Sequence, residues 1–300
     1  MEKRITRSKT LGVLALLLAG SAGSALADLD HVDMVFNGVV NTSATWAGPG
    51  ETVYVSPYTA TDTDTNPVTP ITIYCLDWNH NIDFGQQWTA DFLSLDPTNP
   101  DASELYYYNS TTAYQLDAGG NLDQVSENST QMYDRYLEAA WLFTQIQNLG
   151  PLGAGNVTAQ DELNVAAWTL FLDASPVAGS NPAGNTSTTE FAADIASTSP
   201  GFALAVYYDL QCAIAHVTGG TDTSNGCTKT AGAADFNGAG WYAVTPDPKN
   251  SPNQVTQEFL TDDPSFVPNV EPVPEPQAFA LFGTLVGILG ASRYRRQKRA

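Results

Sequence analysis

Positive charge is scarce in this chain. Only 12 of its 300 residues are Lys or Arg, against 32 Asp or Glu, for a formal net charge of −20. A surface of that sign repels nucleic-acid phosphates and anionic lipid headgroups, so no nucleic acid is expected as a partner. Cysteine is equally sparse, with Cys75, Cys212 and Cys227 alone. The three histidines, His31, His80 and His216, are scattered, so no metal cluster or protease arrangement is visible. There is no G-x-S-x-G, P-loop or dinucleotide fingerprint, so a hydrolase has no motif behind it and no cofactor is expected. No internal repeat is visible.

The basic residues that exist are concentrated at the two ends. Lys3, Arg4, Arg7 and Lys9 precede the apolar run Leu11 to Leu18, and Ala25-Leu26-Ala27 reads as an A-x-A cleavage site before Asp28. Residues 1–27 are therefore expected to be a secretory signal peptide. At the other end Pro274-Glu275-Pro276 leads into an apolar run, Ala278 to Ala291. Arg293, Arg295, Arg296, Lys298 and Arg299 follow. That order of parts resembles the PEP-CTERM sorting signal of Gram-negative bacteria that make exopolysaccharide. The resemblance implies a transient inner-membrane anchor through residues 278–292, then cleavage near the motif by an exosortase-type processing enzyme. The run is short of the roughly 20 apolar residues of a stable span, and the arginines should stay cytoplasmic. The protein is expected to end at the cell surface or in the extracellular matrix.

Trimming both ends leaves Arg135, Lys229 and Lys249 as the only basic residues, against 31 acidic ones, a net charge of −28. Such cargo should be soluble and should attract cations or basic partners, with the acidic residues acting chiefly as a solubilising coat. In an oxidising compartment Cys212 and Cys227, close in sequence across a Gly/Thr/Asn loop, are expected to form a disulfide. Cys75 is then the odd one left over.

The fold expected for residues 28–261 is α+β, with sheet or sandwich-like segments at both ends around a helical insertion. Val32 to Phe36, Thr52 to Val55 and Ile71 to Leu76 read as strands. Pro97 to Gly120, with Tyr106, Tyr107 and Tyr108, reads as irregular surface. Helices are expected over Gln131 to Leu149, from Thr158 to Phe171 with Asp161 as an acidic capping box, over Glu190 to Ala196 and over Phe202 to His216. Trp241 to Val244 and Gln254 to Leu260 read as closing strands. A Pro-rich linker, residues 262–273, leads to the sorting signal at 274–300.

Two of these segments carry the chemistry. Ile73-Tyr74-Cys75-Leu76 puts a cysteine on a buried-looking strand, and Asn164-Val165-Ala166-Ala167-Trp168 lies on a helix about 90 residues later. With Ala139-Ala140-Trp141 between them, this order resembles the thioester domains of bacterial surface adhesins. There an aromatic-Cys-apolar strand faces a helix bearing Gln-x-Ala-apolar-Trp. The resemblance implies attack of the thiolate on the side-chain amide, loss of ammonia, and an internal thioester able to capture an amine or hydroxyl. Here Asn164 stands in the glutamine position, one methylene shorter, and Gln160 lies a turn earlier. Cys75 and Asn164 are thus the thioester candidates, against a buried thiol beside a hydrogen-bonded asparagine.

Asp62, Asp64 and Asn66 open like a calcium loop but lack its Gly and terminal Glu, so a hydrophilic turn is the reading and no metal is expected. His80 follows Cys75 by five residues, which a loop leaving the strand also explains. Exposed Trp and Tyr could stack on sugars. The expectation is a non-enzymatic envelope or matrix protein, binding or structural, linked to exopolysaccharide or another surface component. The alternative is a covalent adhesin.

Overall fold

A computed structural model describes residues 32–40, 45–47, 52–64, 68–76, 78, 82–98, 100–150, 156–172, 188–199, 201–221, 227–229, 233–247 and 257–263. All fall within one compact unit, Asp30–Phe266. The expected cleavage site (Ala25, Ala27, Asp28) and the sorting motif with its apolar run lie outside the described residues, as do His31, His80 and Asn66. Among the described residues no helix is long and apolar enough to cross a membrane.

Among the described residues the class is α+β, with strands at both ends of the compact unit around four helices. Strands β1 (Val32–Val39), β4 (Tyr58–Asp62), β5 (Thr69–Cys75), β6 (Gln87–Ser94), β9 (Tyr242–Pro246) and β10 (Phe259–Thr261) close into a barrel in the order β1-β4-β5-β10-β9-β6. A closed ring, not the expected sandwich, is what the pairing gives, and it leaves these strands no unpaired edge. Every pairing is antiparallel. Alternation sets the two faces. On β1, Val32, Met34 and Phe36 are buried while Asp33 and Asn37 are exposed. Residues directly opposite in the ladders share a face, so Met34, Trp88, Ala60, Ile71, Ile73, Tyr58, Cys75 and Phe259 fill the interior. Two short ribbons complete the β structure: β2 (Thr45–Ala47) with β3 (Thr52–Tyr54), and β7 (Thr112–Leu116) with β8 (Leu122–Ser126).

The second ribbon corrects the sequence reading of Pro97 to Gly120 as irregular surface. A short 3-10 helix, Pro100–Glu104, precedes the hairpin, and Tyr107 is buried, its ring 5.1 Å from that of Phe171. The hairpin escaped notice because β8 carries mixed polarity with no buried side chain. Its turn is held by Asp117, whose Oδ1 accepts from the backbone N–H of Gly119 and of Asn121, both at 2.8 Å.

The helices are α1 (Ser129–Asn148), α2 (Val157–Thr169), α3 (Thr188–Thr198) and α4 (Phe202–Thr218). Asn128 caps α1: its Oδ1 accepts from the N–H of Thr130 and Gln131, and Gln131 Oε1 accepts from the N–H of Asn128. That reciprocal box contributes about 1 kcal/mol. The acidic box expected at Thr158 and Asp161 is absent. Helix α2 starts at Val157 with Asn156 at its N-cap and no side-chain cap bond, and Asp161 is buried instead. The outer face of the barrel packs under the helices. Tyr74, opposite Leu260, lies 5.0 Å from the Phe143 ring of α1 and 5.6 Å from Trp241. Gly238 allows close approach there. At φ +69° a Cβ would sit 2.6 Å from Leu137 Cδ2 and 2.7 Å from the Leu95 carbonyl oxygen.

Candidate functional site

Cys75 is the last residue of β5, at the barrel's rim, and is 1% exposed. The β4–β5 register pairs Tyr58 with Ile73, so continuing it by two residues sets Ser56 opposite Cys75. The regular ladder stops at the cis Ser56–Pro57 bond, and side-chain chemistry takes over. The Cys75 backbone N–H donates to Ser56 Oγ at 2.9 Å. The Ser56 N–H in turn donates to Oδ1 of Asn164 at 2.9 Å, and Gln160 Nε2 donates to the Ser56 carbonyl. Ser56, Gln160 and Asn164 are each fully buried.

Helix spacing explains why two amides meet one residue. Gln160 and Asn164 are four apart on α2 and occupy one face of it, and that face lies against the β3–β4 connection. The thioester candidates are therefore brought to a common neighbour, Ser56. Sequence reasoning missed this serine, because a lone Ser before Pro reads as an ordinary turn. Two amide atoms in the set are buried with no hydrogen-bond partner among the described residues: Asn164 Nδ2 and Gln160 Oε1. Cys75 takes part in no disulfide. Next to it, Tyr58 donates its phenol to the Tyr54 carbonyl at 2.6 Å. Burial raises the Tyr58 pKa well above its ordinary value, and the neighbouring Cys75 adds to the shift.

Below the amides, Trp168 enters an aromatic cluster. Its ring lies 5.0 Å from Trp78 and 6.3 Å from Trp46, and Trp46 also meets Phe191 at 5.5 Å. Trp46 Nε1 donates to Thr198 Oγ1 at 2.8 Å, tying β2 to α3. Trp46 and Trp168 pack in the core, and Trp78 is half-buried beside them. A second buried polar group lies on the β10 side of Cys75. The Glu258 carboxyl accepts from Tyr136 OH at 2.5 Å, Thr245 Oγ1 at 2.6 Å and the Tyr106 N–H at 3.2 Å. Nothing in the sequence marks Glu258, since its partners lie on three distant segments.

The other candidates fall elsewhere. Asp62 Oδ1 accepts from the Asp64 N–H at 2.7 Å, and Asp64 Oδ2 from the Asp33 N–H of β1 at 2.8 Å, so both carboxyls hold local backbone. Cys212 and Cys227 form a disulfide, as the sequence suggests. With His216 they are the only group of three or more His, Cys, Asp or Glu in ligand range among the described residues, and the bridge occupies both sulfurs. His216 stacks on Trp141 at 4.7 Å. Burial, then the Lys229 charge, lowers its pKa. Comparison with protein-family models, with curated proteins and with solved structures finds no match for this chain.

Proposed function

We propose that this chain is an exported envelope or extracellular-matrix protein with a thioester-domain-like scaffold and a binding or structural role, directed outward by its signal peptide and PEP-CTERM tag. One observation carries the non-reactive reading: Asn164 serves as a strut. Its carbonyl oxygen is engaged by the Ser56 N–H, and Cys75, Ser56 and Asn164 are all at most 1% exposed. A reactive acyl group needs access to its target, and this set is sealed in the fold. The acidic coat and its few cations suit a matrix component that stays soluble amid polysaccharide.

A second reading, the covalent adhesin, draws on the unpartnered Asn164 Nδ2. Attack by the Cys75 thiol on the Asn164 carbonyl carbon would form a C–S bond and expel that nitrogen, with the thiol proton, as ammonia. The orphaned donor would leave with it, while the Ser56 N–H would hold the carbonyl oxygen.

Intact-mass measurement of the exported protein separates the two readings. The strut predicts full mass, no adduct with methylamine, and a Cys75 thiol that titrates after unfolding. A mass short by one ammonia that rises with methylamine overturns the strut in favour of the thioester. Binding of the purified protein to the producer's exopolysaccharide tests the matrix role, and absence of saturable binding counts against it.

A further inference from the structure

A cavity of about 200 Å³ lies between the β7–β8 hairpin and helices α1, α2 and α4, apart from the Cys75 cluster. Its chemistry is lopsided. Glu127, Asp134 and Glu138 all line it, with Arg135 as the only cation among the described lining residues. Arg135 is already committed. Its Nε and Nη2 donate to the two Glu127 oxygens at 2.6 Å, and Nη1 donates to the carbonyls of Tyr114 and Leu170. Glu138 is only 6% exposed, and no described residue hydrogen-bonds its carboxyl. A buried acid on a cavity wall that no hydrogen bond satisfies is costly unless something in the cavity answers it.

We propose that this cavity binds a small aliphatic amine, with the ammonium group held by Glu138 and Asp134 and the alkyl stem lying on Leu210 and Ile214. A bare metal ion fits less well. Ions need convergent ligand atoms, and these carboxyls do not form one of the ligand-range clusters among the described residues. A sugar would satisfy the hydrogen bonds but brings no charge to answer Glu138 once it ionises. The volume is below that of pockets for drug-sized molecules, which suits a ligand of a few heavy atoms.

Binding should be linked to protons. Burial raises Glu138 to about 8, with Arg135 lowering it and Asp134 and Glu127 raising it. The hairpin side presents Tyr114 and Glu127. Helices α2 and α4 present no ionisable side chain among the described lining residues. An ammonium ligand needs Glu138 ionised, and alkylamines keep their proton to about pH 10. The ionised fraction of Glu138 rises about tenfold between pH 7 and pH 9, and the affinity should follow it.

The test is calorimetric titration of the full chain with n-pentylamine, n-pentanol and glucose at pH 7 and pH 9. One saturable site for the amine, about tenfold tighter at pH 9, is the expected result, with pentanol and glucose far weaker. Glu138→Gln should weaken amine binding and abolish its pH dependence. Glutamine is isosteric with the protonated acid, so the fold is kept, and Asp134→Asn should weaken binding independently. The proposal is overturned by amine binding that ignores both substitutions, by glucose or pentanol binding as tightly as the amine, or by no saturable amine binding at either pH.

Discussion

Ser56 and Asn164, 108 residues apart in sequence, are joined by a buried 2.9 Å hydrogen bond from the serine backbone N–H to the asparagine carbonyl oxygen. That bond docks α2 on the barrel rim, and the Ser56 hydroxyl carries the connection on to Cys75. Asn164→Ala leaves a buried backbone donor unsatisfied and should cost about 1–3 kcal/mol. Ser56→Ala removes the hydroxyl that accepts from the Cys75 N–H and should cost a similar amount. Because both act through one residue, the double variant should depart from additivity by about 0.5 kcal/mol or more. Urea unfolding of all four proteins measures this, and strict additivity would mean the two bonds are independent.

Tyr136→Phe probes the second polar knot. The phenol donates to Glu258 and accepts from the Tyr107 N–H at 2.9 Å, so one deleted oxygen breaks two buried bonds. The loss should be about 2–4 kcal/mol, with an unchanged urea m-value. A loss under half a kcal/mol would show that water replaces the phenol oxygen.

The contrast between these sites explains what could be read before the fold was seen. Strand β1 was legible because burial on one face imposes alternation, β5 because its run is β-branched and apolar, and α1 because Tyr136, Ala139, Ala140, Phe143 and Ile146 repeat at helical spacing. The Cys75 and Asn164 segments stood out as apolar runs carrying a polar residue. Ser56 and Glu258 were illegible. Their roles depend on partners brought together only by barrel closure, and no local pattern encodes that. The β7–β8 hairpin was missed for a different reason: a ribbon with no buried side chain on one strand has no alternation to detect.

The Cys212–Cys227 bridge closes a 15-residue separation between the body of α4 and the segment after that helix. Cross-linking a loop of that length contributes about 3 kcal/mol, chiefly by restricting the unfolded chain. Cys212→Ser with Cys227→Ser should lower stability by about that amount while leaving the barrel intact. Near-UV dichroism would report the tryptophan cluster and urea unfolding the energy. An unchanged midpoint would show that the reduced loop is already restrained.

Stability should fall as pH rises from 7 to 9. Burial lifts Glu138 to about 8, and lifts Asp161 and Asp209 to about 7, with Glu162 adding to both aspartates. Unfolded carboxyls release their protons near pH 4. Between there and pH 8 the folded state holds protons that the unfolded state has lost, so each rise in pH favours unfolding, and the loss is complete above the folded values. His216 works in the opposite sense. Its lowered pKa favours the folded state as pH rises towards its ordinary value of 6.5, and adds nothing further above it. The interval from pH 7 to 9 therefore lies above the His216 contribution, and among the carboxyls Glu138 dominates its upper half. Melting temperatures at constant ionic strength should decline across it, and Glu138→Gln should flatten the slope between pH 7.5 and 8.5. A wild-type curve that is level or rising there would mean that Glu138 ionises freely inside the fold.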